Sequence, residues 1–360
     1  MAAPLERLSC LRPELPAQTG FTVTELPHVA KLDQNESAVD LPAAFKRELA
    51  EALAGAPWNR YPQPREYQAA RAALAAALGV PAACVALTVG GDQVIQAAFL
   101  LAGGAGRRAR WFEPTYPYVA LAARVTGTSA DAVVLGAEVD ERIDAAAIVR
   151  GARPDLVVLV SPNNPTGGVV ARAAVEAALA DETRLVLMDE AYADFSAAPS
   201  WLEEATRRPN LIVGRSLSKS MCAAVRLGFA VAHPQIIATI DRIYTAPYHL
   251  NGLQLRVAER YAEILPIVRS NAAAVRGERE RVHAALARLP GLAPRPSQGN
   301  FVFFSLARAA RELQAKLARA GVRVRDVSGL PGAGEALRVT IGTREDNDTF
   351  LARLGEALQA

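Results

Sequence analysis

The chain has 360 residues, 51% of them hydrophobic, enough for a large core and more than one domain. Its 40 basic and 37 acidic residues leave a formal net charge of +3, a near-balance that argues against nucleic acid or another polyanion as the main partner. Cys10, Cys84 and Cys222 are too few and too scattered for a disulfide framework or a metal site, and they fit a reducing cytoplasm.

Met1 to Gly20 contains no apolar h-region, so no signal peptide is expected, and no apolar run reaches the length of a membrane span. The first 41 residues read as irregular, with a short ordered segment at Lys31–Glu36. Pro42 to Leu53 predicts a helix with proline in its first turn, Trp58 to Pro64 a loop, and Glu66 to Leu78 a helix ended by Gly79. Strands are then predicted at Val85–Val89, Arg110–Phe112, Ala132–Leu135, Leu156–Val160, Leu185–Met188, Leu211–Val213 and Gly228–Val231. Helices interleave at Asp92–Leu101, Tyr118–Val125 and Arg172–Leu179. Short apolar runs alternating with helices predict an α/β domain whose mainly parallel sheet is covered on both faces.

The pattern changes near Tyr248. Asn251 to Leu289 reads as helical, interrupted at Pro266. Strands at Asn300–Phe304, Val322–Val324 and Leu337–Ile341, with helices at Leu306–Ala320 and Asp346–Leu358, predict a smaller α+β unit. The expected division is a large domain over 58–250 and a discontinuous small domain of 1–57 and 251–360, with the N-terminal segment packed on the small unit.

The motifs fall at strand C-terminal ends, where such sheets place ligands. Thr88–Gln93 pairs Gly90 and Gly91 with a helix start, an anion cradle on one reading and an ordinary junction capped by Asp92 on the other. In Ser161–Gly168, Asn164 stands between two prolines and offers an amide to a ligand oxygen, although asparagine is also common in plain turns. Asp189 ends a buried strand, where a carboxylate needs a partner; a protonated ring nitrogen would suit it, as would a helix cap. Tyr192 follows three residues on, within reach of the same ring. No His or Cys stands near for a transition metal, and Mg²⁺ would want more carboxylates. Tyr116, after another strand, would stack on a flat cofactor or fill the core. Ser216-Leu217-Ser218-Lys219 with Arg226 downstream suggests an amine beside an anion, although most lysines are surface charges. Arg338, among apolar residues, fits a grip on carboxylate or phosphate; Arg325 is a second candidate with Asp326 as an alternative partner. His28, His233, His249 and His283 form no triad or metal spacing and read as structural or surface residues.

Taken in order, Arg60-Tyr61-Pro62, Gly90–Gln93, Pro114–Tyr116, Ser161–Gly167, Asp189 with Tyr192, Ser216–Lys219, Arg226 and Arg338 resemble the pyridoxal-phosphate aminotransferases of the aspartate aminotransferase fold (fold type I). Within them the chain is most similar to the histidinol-phosphate aminotransferase family, from about Leu32 to the C-terminus. The resemblance implies pyridoxal 5′-phosphate as cofactor and Lys219 as its covalent anchor and the catalytic proton carrier. It implies Asp189 on the ring nitrogen, Asn164 and Tyr192 on the ring's phenolic oxygen, and Tyr116 stacked on the ring. The N–H groups of Gly91, Asp92 and Gln93, with Ser216, Ser218 and Arg226, would hold the phosphate. Tyr61 would reach the neighbouring subunit's cofactor, which implies a homodimer. Asn35 would line the substrate entrance, and Arg325 and Arg338 would bind the substrate's acidic group, with Tyr61 and Asn164 beside it.

The implied partners are small-molecule amino acids and oxo acids, with histidinol phosphate and 2-oxoglutarate the leading pair, and neither a metal nor a membrane. Another aminotransferase specificity, decarboxylation of a phosphorylated amino acid and a non-catalytic paralogue are the alternatives. Three departures from the family pattern stand out. The connection Ser220–Val225 is one residue short and lacks glycine, so its turn must differ. Gly91-Asp92-Gln93 replaces the usual small residue followed by Asp-Glu. The N-terminal tyrosine of the family has only Phe21 as its nearest counterpart.

Overall fold

The computed structural model describes residues 28–359, so Phe21 and Cys10 lie outside the described residues. In chain order the strands are β1 (Ala30–Leu32), β2 (Val85–Thr88), β3 (Arg108–Glu113), β4 (Ser129–Val134), β5 (Leu156–Val160), β6 (Leu185–Asp189), β7 (Leu211–Ser216), β8 (Gly228–Ala232), β9 (Leu292–Pro294), β10 (Phe301–Leu306), β11 (Val322–Asp326) and β12 (Ala336–Thr340). Among the described residues they form a seven-stranded sheet, ordered β2-β8-β7-β6-β5-β3-β4, and a five-stranded sheet, ordered β1-β11-β12-β10-β9.

The larger sheet is mainly parallel, as expected. Pairs β3–β4, β3–β5, β5–β6 and β6–β7 are parallel, and β8 runs antiparallel to β2 and β7. β5, all apolar and β-branched-rich, shows why. Leu156, Val158 and Val160 point into one core with Val94 and Phe99 of helix Gly90–Ala102, while Val157 and Leu159 point into another with Leu74 of helix Pro64–Leu78 and Val175 of helix Arg172–Leu179. A period-2 strand buried on both faces needs apolar side chains at every position.

The smaller sheet pairs β1 with β11 in parallel and is otherwise antiparallel. Phe301 and Phe304 of β10 pack with Phe350 and Leu354 of helix Arg344–Gln359 and with Leu313 of helix Ala310–Arg319. The α/β class with an α+β second unit is therefore what the residues form.

Two expectations change. The helical stretch after Asn251 breaks at Arg260, between helices Gly252–Glu259 and Tyr261–Leu286, and Pro266 lies inside the second. Proline removes one backbone donor there, but Ile264 and Val268 on either side are buried and hold the helix to the core. The N-terminal segment does not pack as one piece. β1 joins the smaller sheet, whereas helix Ala43–Ala54 buries Phe45 and Leu49 in the larger sheet's core. Helix Tyr261–Leu286 spans both cores, with Ile264 and Val268 in one and Ala272, Val275 and Val282 in the other.

Gly228 of β8 sits opposite Ser216 of β7. A Cβ built there would lie 2.6 Å from the Gly90 carbonyl carbon and 2.8 Å from the Arg215 oxygen. Backbone cannot swing aside as a side chain does, so Gly228→Ala is expected to cost about 1–3 kcal/mol. A chemical denaturation midpoint indistinguishable from the parent would refute this packing.

Candidate active site

β6 ends at Asp189, β7 ends at Ser216, and β2 leads into helix Gly90–Ala102. Around these ends lies a cavity of about 620 Å³ whose walls come from both sheets. Lys219, Asp189, Tyr116 and Asn164 line it from the larger sheet's loops, Arg325 and Arg338 from the smaller sheet.

The turn after β7 is closed by backbone bonds from Leu217 N–H to the Leu227 oxygen at 3.0 Å and from Met221 N–H to the Leu217 oxygen at 3.1 Å. It turns Lys219 inward, and Lys219 Nζ donates to the Gln34 carbonyl at 3.1 Å. Burial, helped by Arg338, lowers the amine to about 8. Asp189 is buried, and desolvation pushes its carboxyl up to about 7. One oxygen accepts Ala191 N–H at 3.0 Å, and no ion pair reaches the group among the described residues. Tyr192 accepts the Asn35 side-chain amide at 3.1 Å and meets the Phe301 ring edge-on at 5.0 Å. Tyr116 donates to Asp92 at 3.0 Å.

At the other end of the cavity stand Gly91, Ser216, Ser218 and Arg226. The short connection makes its turn with a 3₁₀ helix at Ala223–Val225 and then places Arg226 at φ 57°. Gln254 Nε2 holds the Arg226 carbonyl at 2.7 Å, and Arg226 Nη1 donates to Ser218 Oγ at 3.1 Å. The arginine thus stays at the cavity despite the shorter loop. Gly90, at φ 71°, lets it approach, since a Cβ there would lie 3.0 Å from Arg226 Nη2.

Gln93 departs from its expected place. It does not line the cavity, and its side-chain oxygen accepts Val89 N–H at 2.7 Å. With Val89 as the cap, the free helix amides are those of Gly90, Gly91 and Asp92, one residue earlier than expected.

Arg338 is buried and bonds the Asn164 side-chain oxygen and the Asp33 carbonyl, each at 2.6 Å. Its Nε has no partner. Desolvation lowers this guanidinium to about 10. Arg325 faces it across the β11–β12 register. Asn35 does not line the entrance; it is 1% exposed, and its neighbours Gln34 and Glu36 form the wall instead. Tyr61 is 73% exposed, away from this cavity, with its ring 5.4 Å from that of Tyr248.

A family model described as aminotransferase class I and II matches residues 27–354. The chain belongs to the class I and II aminotransferases. It is 36% identical over 331 residues to histidinol-phosphate aminotransferase of Chlorobaculum tepidum, covering 90% of this chain and 93% of that one. Against the Thermobifida fusca protein of the same name it is 38% identical, with 94% and 93% covered. The solved histidinol-phosphate aminotransferase of Sinorhizobium meliloti, in complex with pyridoxal 5′-phosphate, shares the fold at a TM-score of 0.81, with 24% identity and 92% of each chain covered.

Aminotransferases of this class work with pyridoxal 5′-phosphate, and the cavity fits that group. Asp189 is a buried carboxylate lacking a cation, and a protonated pyridine nitrogen would supply one. Unclaimed helix amides, two serine hydroxyls and Arg226 converge where a phosphate would be needed. Lys219 is a buried amine whose neutral form desolvation makes accessible.

Sequence reasoning missed the Gln34 and Asp33 carbonyls on Lys219 and Arg338, because a backbone oxygen leaves no signature in residue type. It also missed Asp140, whose carboxylate accepts Gly168 N–H at 3.1 Å and the Thr166 hydroxyl, locking the loop that carries Asn164. Among the described residues no cluster could hold a metal ion and no helix is long and apolar enough to cross a membrane.

The Asp189 shift has a stability consequence. Its carboxyl titrates near 3.8 unfolded and near 7 folded, so the folded chain binds the extra proton between those values. Stability of the cofactor-free aminotransferase should therefore fall as pH rises from about 4 to about 7. Asp189→Asn should remove that slope. Parallel stability–pH curves for the two proteins would refute the shift.

Proposed function

We propose that this aminotransferase moves the amino group of histidinol phosphate to 2-oxoglutarate in the cytoplasm, as a step of histidine biosynthesis. Relatives bearing the histidinol-phosphate name across nine-tenths of the chain support the substrate. The observation that carries the chemistry is the meeting in one cavity of Lys219, Asp189 and Arg338, none neutralised by an ion pair among the described residues.

Bound there, the cofactor supplies the electron sink that makes the substrate's amino-bearing carbon acidic. Lys219 takes the proton from that carbon and returns it, a role eased by burial, which lowers the amine to about 8 and brings its neutral form within reach. Asp189 would keep the ring nitrogen protonated. Asn164 and Tyr192 would hold the ring by its phenolic oxygen, with Tyr116 against it. The Gly91 and Asp92 amides with Ser216, Ser218 and Arg226 would hold the phosphate. Arg325 and Arg338 receive the substrate's phosphate or carboxylate, where the unpartnered Arg338 Nε awaits an acceptor.

The division into 58–250 and a composite 1–57 with 251–360 remains part of this reading, except that helix Ala43–Ala54 packs in the larger core, and helix Tyr261–Leu286 joins the two. So does a homodimer. The exposed aromatic pair Tyr61 and Tyr248 is what a second copy would cover, with Tyr61 then reaching the partner's site.

The purified protein is expected to show a visible absorbance band that glutamate bleaches. Lys219→Ala should lack the lysine-linked band and lose turnover by roughly 10²–10⁴-fold. Imidazole acetol phosphate should outcompete phenylpyruvate as the amino acceptor for the glutamate-treated enzyme. A protein that stays colourless with added pyridoxal phosphate overturns the enzyme reading, and a preference for phenylpyruvate overturns the substrate. Sedimentation should give twice the chain mass, and Tyr61→Ala should weaken cofactor retention; a monomer that keeps full activity would contradict the shared site.

A further inference from the structure

Asn35 is in an unusual state for a non-glycine residue. It is 1% exposed and sits at φ 54°. A left-handed, fully buried asparagine persists only where its surroundings over-determine it, a condition common at functional sites. Here every polar group is engaged. Its N–H donates to Thr340 Oγ1 at 2.9 Å, its carbonyl accepts Asn300 Nδ2 at 3.0 Å, and its side-chain oxygen accepts the Thr340 hydroxyl at 3.0 Å. Thr340 has one proton and spends it on that oxygen, which fixes the amide's orientation. The amide nitrogen must then face Tyr192, to which it donates at 3.1 Å.

Two things follow for the groups in the cavity. The Tyr192 oxygen is already an acceptor toward Asn35, so its own proton is free to be donated elsewhere. And the left-handed turn at residue 35 directs the preceding carbonyl, that of Gln34, onto Lys219 Nζ at 3.1 Å.

We propose that Asn35 is a positioning residue for two groups at once, turning the Gln34 carbonyl onto the Lys219 amine through its left-handed backbone and committing the Tyr192 hydroxyl to donation through its amide. One residue of the segment that follows β1 thereby sets both the amine and the phenol that the larger sheet presents. This rests on the aminotransferase reading for the cofactor that Tyr192 would meet, but not for the contact with Lys219. The other charges facing Lys219 are Arg338 on β12, Arg226 after the short turn, Asp92 on helix Gly90–Ala102, Glu36 beside the carbonyl and Asp189 on β6. All of these charged side chains remain present in variants of residue 35.

Asn35→Gly keeps the left-handed backbone and deletes the amide, whereas Asn35→Ala deletes the amide and disfavours the backbone. The first readout is acylation of Lys219 by acetic anhydride in the cofactor-free proteins at neutral pH, followed by mass spectrometry. Loss of the carbonyl acceptor destabilises the ammonium, so Asn35→Ala should label several-fold faster, up to about tenfold, while Asn35→Gly labels like the parent. Asn35→Ser replaces the alanine variant if the latter does not fold. Equal rates in the alanine (or serine) and glycine variants overturn the backbone role.

The second readout is the equilibrium affinity for pyridoxal 5′-phosphate in a cycle with Tyr192→Phe. Asn35→Gly and Tyr192→Phe should each weaken binding by about tenfold, and the double variant should be little weaker than Tyr192→Phe alone. Losses that multiply would mean that Asn35 acts independently of Tyr192 and would overturn the amide role. A parent protein that takes up no pyridoxal phosphate would sink the aminotransferase reading instead, and the labelling comparison would still judge the contact with Lys219.

Discussion

Three buried charges with no ion pair between them set the terms for the rest of this structure. Lys219 leans on a backbone carbonyl, Asp189 accepts a backbone amide, and Arg338 leans on an amide oxygen and a carbonyl. Burying an ion without a counter-charge costs several kcal/mol, and each group responds by moving toward its neutral form. Such a site persists only on a scaffold stable enough to hold it. Here that scaffold is a seven-stranded sheet covered on both faces, whose strand ends need not bury apolar surface. A ligand carrying a protonated ring nitrogen, a carbonyl carbon and anionic groups would relieve all three charges together.

The site also depends on how two sheets meet. Lys219 and Asp189 come from the larger one, Arg325 and Arg338 from the smaller, and the segment from Asp33 to Glu36 lies between them. Helix Tyr261–Leu286 ties this seam. Asn271 donates to Ser37 Oγ at 3.1 Å and to the Ser220 carbonyl at 3.3 Å, joining the N-terminal segment to the turn that carries Lys219. Arg279 donates to the Gly299 carbonyl at 2.9 Å and to the Phe195 carbonyl at 3.3 Å, one contact on each side. Its Nη1 thus serves the two carbonyls, while its Nε pairs with the exposed Glu280 carboxylate at 3.3 Å.

Much of this was legible in the sequence because apolar strands announce themselves and ligand groups cluster at their ends. What stayed hidden was set by partners distant in sequence. β7 was read as Leu211–Val213 but continues to Ser216. Arg215 looks wrong for a buried strand until Glu190 at 3.0 Å and Asp194 at 3.1 Å are found beside it. β1 has three residues and exists because β11, some 290 positions later, offers it an edge. Asn35 carried the right motif but the wrong direction. Its backbone sign and its partners Tyr192, Asn300 and Thr340 are consequences of the fold, and residue type alone reports only that asparagine tolerates such a turn. The Gln93 side chain turns back to accept the Val89 N–H, a contact that residue type alone does not announce.

The contact between Asn164 and Arg338 carries the synthesis one step further. In the present arrangement the group suited to the cofactor's ring and the group suited to the substrate's anion hold each other at 2.6 Å. A carboxylate or phosphate oxygen is a stronger acceptor for guanidinium than an amide oxygen. Arg338 uses only the oxygen of Asn164, so the amide's two N–H groups stay available to a ring oxygen while the arginine is held. Donation through the nitrogen polarises the amide and makes its oxygen the better acceptor, so the two contacts would support one another. The burial of Arg338 is sustained by that oxygen and by the Asp33 carbonyl, with its Nε left for an anion.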